Sequence, residues 1–115
     1  MIHKLEHITD LDAGMINNDT VRDLIEGYLT TYDSLYGEDR NVDEDDGGYV
    51  LYCDPGTSAV ELKSFIDYED LLCEYTQEIE GTDYLQAMFI LNNEYVVFVV
   101  MTKADMPKSL KEYMI

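Results

Sequence analysis

The stretch YLQAMFILNNEYVVFVVM, residues 84–101, decides the fold. Its two apolar runs, 84–91 and 94–101, are rich in β-branched and aromatic residues, which favour strands. Asn92 and Asn93 lie between the runs and tolerate the positive φ angles of a two-residue hairpin turn. The run VVFVV is apolar on both faces, so we expect the second strand to be central in its sheet and covered on each side.

Toward the N-terminus, the clearest further element is a helix that ends near Gly37. Apolar residues recur at the three- and four-residue spacing of one buried helix face, namely Val21, Leu24, Ile25, Tyr28, Leu29, Tyr32, Leu35 and Tyr36. Asn18 or Asp19 can cap the start, and Gly37 suits the left-handed residue that ends a helix. Four acids are predicted to lie away from the apolar face, namely Asp19, Asp23, Glu26 and Asp33.

The segment between this helix and the hairpin is predicted to hold two strands and a second helix. YVLYC (49–53) is typical of a strand, and Pro and Gly in 54–57 indicate a turn. Residues 58–66 fit both a strand and a helix, and we favour a strand paired with 49–53. Residues 67–80 are predicted to form a helix that ends at Gly81. Its apolar face would hold Leu71, Leu72, Tyr75 and Ile79.

The two ends of the chain complete the predicted order. Residues 1–17 are expected to form an irregular or short helical lead-in. Pro107 is expected to open a short C-terminal helix, KSLKEYM (108–114). The order α-β-β-α-β-β-α predicts a single α+β domain over residues 1–115, with an antiparallel four-stranded sheet.

Charge is the most one-sided property of the sequence. The 115 residues hold 25 Asp and Glu but only seven Lys and Arg, which gives a formal charge of −18. An apolar content of 46 % and ten Tyr indicate a folded core rather than an acidic disordered chain. Affinity for phosphates comes from Lys and Arg, so direct binding of nucleic acid is not expected.

The absence of membrane and signal segments predicts where the protein is located and whether its cysteines are reduced. No stretch approaches the roughly 18 apolar residues that a membrane helix needs. The first residues, MIHKLEHITDLD, have neither the apolar run nor the cleavage site of a signal peptide. We therefore expect a cytoplasmic protein without membrane contact, in which Cys53 and Cys73 are reduced core residues.

Two metal-binding motifs match the sequence only in part. Residues 3–7 spell H-x-x-E-H, the inverted zinc-protease motif, but the sequence contains no third His. Asn41, Asp43 and Asp45 have the spacing of calcium-loop ligands. However, Asp46 replaces the turn glycine and Tyr52 the bidentate Glu. We predict no metal, no cofactor and no enzymatic activity.

The acids themselves form the candidate site. Five lie in the loop EDRNVDEDDGG (38–48), namely Asp39, Asp43, Glu44, Asp45 and Asp46. Three more, Asp70, Glu74 and Glu78, follow each other at i, i+4 and i+8 in the predicted second helix. Carboxylates stacked about 6 Å apart by the 1.5 Å rise per residue would approximate a row of phosphates.

These features favour an acidic inhibitor, or nucleic-acid mimic, that binds the basic groove of a DNA- or RNA-handling protein. In size, acidity and absence of a catalytic motif, the chain resembles the small phage and mobile-element inhibitors of restriction or CRISPR nucleases. That resemblance implies a basic partner such as a nuclease. One alternative is an immunity protein, antitoxin or regulatory module that binds a basic protein. Another is a salt-adapted acidic domain without mimicry. A continuous negative surface would favour a partner, and evenly spread acids would favour salt adaptation.

Overall fold

A five-stranded sheet with helices on both faces forms the described part of the protein, in a computed structural model that describes residues 1–40, 47–91 and 95–115. The strands are β1 (Ile2–Leu5), β2 (Gly47–Cys53), β3 (Cys73–Glu78), β4 (Tyr84–Leu91) and β5 (Tyr95–Thr102). The helices are α1 (Asp19–Tyr36), α2 (Ala59–Phe65) and α3 (Lys108–Lys111). A short 3-10 turn spans Ile8–Asp10.

The sheet is mixed, in the order β1-β2-β5-β4-β3. β2 and β5 run parallel, and the other neighbouring pairs are antiparallel. The α+β class is confirmed, as is the central position of β5. The prediction of a four-stranded antiparallel sheet is wrong. β2 pairs with β5 rather than with residues 58–66, and such a parallel pair needs the long crossover that α2, β3 and β4 provide.

The N-terminal segment supplies the strand that the sequence analysis missed. β1 lies antiparallel beside β2, with Ile2 opposite Cys53 and Leu5 opposite Val50. The prediction of a lead-in is therefore wrong for Ile2–Leu5, although the helical turn at Ile8–Asp10 fits it. A four-residue strand has too little sequence pattern to be detected, because its pairing partner stabilises it.

Residues 58–66 form α2 rather than a strand. The Ser58 side chain accepts a hydrogen bond from the backbone N–H of Glu61 at 3.1 Å, which caps the helix start. Leu62 is buried, whereas Val60, which a strand would place on the same face as Leu62, is 82 % exposed. The Ser-x-x-Glu spacing of a capping box was the signal for a helix.

Residues 67–80 are the main error of the sequence analysis. They form a turn and β3, which pairs with β4 from Cys73 opposite Phe89 to Glu78 opposite Leu85. Gly81, with φ of 78°, lies in the turn of this hairpin instead of ending a helix. Leu72, assigned to a buried helix face, is 69 % exposed. The four-residue repeat of apolar and acidic residues is therefore not a helical repeat.

Helix α1 agrees closely with its prediction. The Asn18 side chain accepts a hydrogen bond from Val21 N at 3.1 Å, and Gly37 follows the helix with φ of 97°. Three assignments near its end are wrong. Leu35 and Tyr36, predicted to be buried, are 69 % and 41 % exposed, and Asp33, predicted to lie on the polar side, is buried.

The sheet has a core on each face, as the burial of β5 requires. The face under α1, called the α1 face, includes Val21, Ile25, Leu29, Val50, Phe98 and Val100. The opposite face, called the α2 face, includes Leu51, Leu62, Leu85, Phe89, Val99 and Leu110. Cys53 and Cys73 are buried, free thiols, as predicted. Within the described residues, no helix is long and apolar enough to cross a membrane.

The C-terminal helix is shorter than predicted. α3 ends at Lys111, and the chain then crosses the outer edge of β3, where Met114 forms a parallel bridge with Thr76. Thr76 N donates to Tyr113 O at 2.9 Å, and Ile115 N donates to Thr76 O at 3.0 Å. These bonds satisfy polar groups on an edge strand that would otherwise be open.

Candidate functional site

The predicted carboxylate row along a helix does not exist. Asp70 lies in the turn before β3, whereas Glu74 and Glu78 lie within this strand, where successive side chains alternate between faces. Glu78 forms an ion pair with Lys103 at 3.2 Å and belongs to a different surface. Asp39 is exposed after the end of α1. The remaining predicted residues, Asp43, Glu44, Asp45 and Asp46, lie outside the described residues.

The sheet topology nevertheless brings several acids to one end of the molecule. β2 and β5 begin at this end, with Gly47 opposite Tyr95, and β4 ends there, with Leu91 opposite Tyr95. β3 also begins there, because Cys73 lies opposite Phe89. We call this the acidic end. Its described acids lie in the segments that lead into β2 and β3, or at the start of β3, and are Glu38, Asp39, Asp67, Glu69, Asp70 and Glu74.

Most of the bases lie elsewhere. Lys103, Lys108 and Lys111 follow the end of β5 at the opposite end of the sheet, where Asp54, Glu78, Glu80, Asp83 and Asp105 also lie and Lys103 offsets Glu78. At the acidic end, Lys63 pairs with Glu69 at 3.1 Å, and Arg40 is buried. Lys4 pairs with Glu6 and lies over the Tyr49 ring near the start of β2. Among the described residues, the six acids therefore face solvent with two exposed bases near them, Lys63 and Lys4. Residues 41–46 and 92–94, which directly precede β2 and β5 in the sequence and lie outside the described residues, contain five further acids and no base.

Two carboxyl groups at the acidic end interact directly. A side-chain hydrogen bond with Asp70 raises the pKa of Asp67 above its usual value, and desolvation and the Asp70 charge act in the same direction. Like charges held this close favour a shared proton or a bound cation. Lys63 opposes the shift but is engaged with Glu69. Sequence reasoning missed Asp67 because it was placed at the start of the helix predicted over residues 67–80.

A buried arginine holds the segment from which the acidic loop departs. The guanidinium of Arg40 donates to the Asp33 carboxylate and to the backbone carbonyls of Glu6 and Gly37. Its side chain is 2 % exposed, and that of Asp33 is 6 % exposed. One residue thus joins the end of α1, the segment after β1 and the start of the loop 41–46. The Arg40 guanidinium is therefore held within the fold by one carboxylate and two backbone carbonyls.

The Asp33 carboxylate is fully engaged. Its Oδ1 accepts from His7 Nδ1 at 2.9 Å, and its Oδ2 accepts from Ile8 N at 2.9 Å. Burial raises the pKa of Asp33, but the bonds from Ile8, His7 and Arg40 and the Arg40 charge outweigh it, so the pKa lies below its usual value. Asp33 therefore stays ionised and acts as the anchor of Arg40 rather than as a partner-binding acid.

The stability that Asp33 contributes should depend on pH. The pKa of the Asp33 carboxyl is lower in the folded protein than its unfolded value of about 3.9. Its contribution to stability is therefore fully present above about pH 3.9 and is lost as the pH falls through the folded pKa. We expect the difference in unfolding free energy between wild type and Asp33→Asn to be large at about pH 5 and smaller at about pH 3. Urea titrations of both proteins in a His7→Gln background, which removes the histidine that contacts Asp33, measure it. A difference that stays constant over this range would contradict the assignment.

The H-x-x-E-H residues do not converge on a common point. His3 Nε2 lies 3.2 Å from both carboxylate oxygens of Asp54, whereas His7 Nδ1 lies 2.9 Å from Asp33 Oδ1. An open cleft of about 570 Å³ lies along β1 and includes both histidines and Asp10 in its lining. Among the residues that the structure describes, no group of three or more His, Cys, Asp or Glu could hold a metal ion.

Comparison with known proteins adds no further constraint on the site. No family model, no curated protein and no solved structure matches the chain. The acidic end must therefore be interpreted from its own geometry and charge.

Proposed function

We propose that the protein is an acidic inhibitor that binds a basic surface of a nucleic-acid-handling protein, such as a nuclease, in competition with nucleic acid. The observation that carries the proposal is the unequal balance of charge between the two ends of the sheet. At the acidic end, six described acids lie beside two exposed lysines, whereas at the opposite end three lysines accompany Asp54, Glu78, Glu80, Asp83 and Asp105. General salt adaptation gives no reason for such an imbalance, and a cationic partner does.

The acidic end is wide enough to contact a nucleic-acid-binding groove on a partner protein. β2 and β3 are separated by three strand spacings of about 4.8 Å, so the acids that lead into them extend over about 14 Å. Carboxylates on connecting segments can meet Arg and Lys side chains that normally contact phosphates. Long-range attraction to such a partner would speed association and weaken with salt, because the Debye length is about 8 Å at physiological ionic strength.

A second candidate function is an immunity or antitoxin module that neutralises a basic protein without imitating nucleic acid. Exposed apolar side chains favour it. Leu72 is 69 % exposed just before β3, and Ile90 is 40 % exposed near the end of β4. Apolar anchors beside acids are typical of protein interfaces of every kind, so they allow tight binding to a basic protein without imitation of nucleic acid. The two candidates share the acidic end and differ in whether the partner must bind nucleic acid.

Two charge-matched triple variants test whether the acidic end, rather than net charge, binds the partner. Asp39→Lys with Asp70→Lys and Glu74→Lys changes the acidic end, whereas Asp12→Lys with Asp23→Lys and Glu26→Lys changes exposed acids elsewhere. Three reversals of two charges each take both variants from −18 to −12. Exposed ion pairs contribute about 0.2–1 kcal/mol each. We therefore expect the first variant to lose affinity about tenfold or more, and the second to change little.

The readout is displacement of fluorescent duplex DNA from partners recovered by pull-down at low and high salt. Release of DNA by wild type and by the Asp12 control variant, but not by the acidic-end variant, would support the inhibitor. Binding to one basic partner without release of DNA would favour the toxin neutraliser. Equal loss of affinity in both triple variants would contradict a localised site.

A further inference from the structure

One helix leaves part of the α1 face uncovered. Five strands span four spacings of about 4.8 Å, or about 19 Å, whereas a helix with its side chains is about 10–12 Å across. α1 packs chiefly over β2. On the half of the face formed by β3 and β4, Tyr84 and Gln86 are buried, but toward the end of β4 Tyr75 and Met88 are only partly buried and Ile90 is 40 % exposed. No other described helix packs against this half.

A groove follows from this arrangement. Its wall is one side of α1, where Tyr28 and Leu35 lie seven residues, or about two turns, apart. Its floor is formed by Tyr75, Met88 and Ile90, which share the α1 face because Tyr75 lies opposite Met88 and Ile90 follows two residues later. We call these five residues the α1–β4 groove. Tyr28, Tyr75 and Met88 pack at the margin of the buried core of this face.

The wall of the groove is held rigidly. The Tyr28 ring stacks on the Phe98 ring with centroids 4.1 Å apart and planes 3° apart. The Tyr28 hydroxyl donates to Gln86 Oε1 at 2.6 Å. Because both the ring and the hydroxyl of Tyr28 are already held in place, its side chain loses little further rotamer entropy when a partner binds against it. The groove is therefore ready to accept an apolar side chain.

Charge defines what kind of molecule could enter. No Lys or Arg occurs in residues 64–102, which include β3, β4 and β5. Glu74 lies on β3 beside the groove, and Glu38 and Asp39 follow the end of α1 near Leu35. An apolar floor with an acidic rim and no base complements a side chain that is apolar at its tip and flanked by Arg and Lys.

We propose that the α1–β4 groove is the anchor site for the basic protein partner, and that it receives one large apolar or aromatic side chain while the acidic end binds the flanking Arg and Lys. This inference rests on the proposed function and makes it more specific, because it requires a protein partner with an apolar anchor as well as positive charge. Buried aromatic anchors commonly dominate interface energy, whereas rim charges set the association rate.

Two synthetic peptides test the groove directly. Both contain Arg and Lys on each side of a central residue, which is Trp in one peptide and Ser in the other. We expect the Trp peptide to bind the full chain about tenfold more tightly, from the apolar area buried. In methyl-resolved NMR titrations, the signals of Leu35 and Ile90 should shift. The signal of Val60, an exposed residue of α2 on the opposite face, should not.

Variants complete the test. Leu35→Ser with Ile90→Thr should abolish the preference for the Trp peptide, whereas Val60→Thr should preserve it, and thermal melts confirm that both variants fold. Equal affinities of the two peptides for wild type, or shifts at Val60 instead of Leu35 and Ile90, would overturn the groove. Separately, equal binding of the Ser peptide to wild type and to the acidic-end variant would overturn the proposed function, whatever the effect of Trp. The two failures are therefore distinguishable.

Discussion

Gly48→Ala is expected to lower the free energy of unfolding by about 3 kcal/mol or more, the upper range of overpacking effects. Gly48 lies in β2 opposite Val96 of β5. A Cβ atom added at Gly48 would lie 2.0 Å from the Val96 carbonyl oxygen and 3.1 Å from Cζ of Tyr32. The first of these neighbours is backbone in the parallel pair at the centre of the sheet, so it can move only if the pairing itself shifts.

The same substitution at Gly27 is the matched control. Gly27 is an exposed residue in the interior of α1, and a Cβ there would meet nothing within 4 Å. Because Ala is a better helix former than Gly, Gly27→Ala should stabilise the protein by about 0.5–1 kcal/mol. Urea unfolding followed by circular dichroism measures both changes. If Gly48→Ala were as stable as wild type, the close approach of β2 to β5 would be wrong.

Arg40→Met should produce the second large effect, a loss of about 3–5 kcal/mol, because it leaves the Asp33 carboxylate buried without its cation. The substitution also removes the donors to the Glu6 and Gly37 carbonyls. These acceptors lie in two parts of the chain, the end of α1 and the segment after β1, so the substitution removes the donor that connects them. Thermal and urea unfolding of the variant measure the effect.

Arg22→Met serves as the control for removing an arginine. Arg22 lies on α1, is half-buried, and its Nε has no hydrogen-bond partner within the described residues. We expect a change within about 1 kcal/mol there, typical of a site without a buried partner. The double variant Arg40→Met with Asp33→Asn should recover part of the loss, because the uncompensated charge is gone. Additive effects of the two substitutions would show that Arg40 and Asp33 are not coupled.

Elements that carry their own local pattern could be predicted from the sequence. α1 has a long apolar repeat, the Asn18 cap and Gly37, all of which act within a few residues. β4 and β5 were predicted for the same reason, and the doubly apolar β5 also indicated its central position. β1 and β3 could not be predicted, because a short strand depends on its neighbour for hydrogen bonds and burial.

The candidate site was predictable in part. The sequence analysis placed Asp39, Asp70 and Glu74 in the binding surface, and the structure puts all three at the acidic end. It also included Glu78, which instead pairs with Lys103. This error arose because spacing by four residues was interpreted as a helix, whereas the same spacing on a strand with an irregular register separates the side chains. Whether the partner binds there stays a prediction.

By itself, the sequence determined the α+β class, the strong excess of negative charge, the reduced core cysteines and the strand at the centre of the sheet. Each of these depends on composition or on periodicity within a short window. Only the tertiary structure decided that β2 lies parallel to β5, that two acidic connections meet at one end, and that Arg40 is buried on Asp33. The reason is that pairing between distant segments chooses which side chains become neighbours, and no local pattern contains that choice.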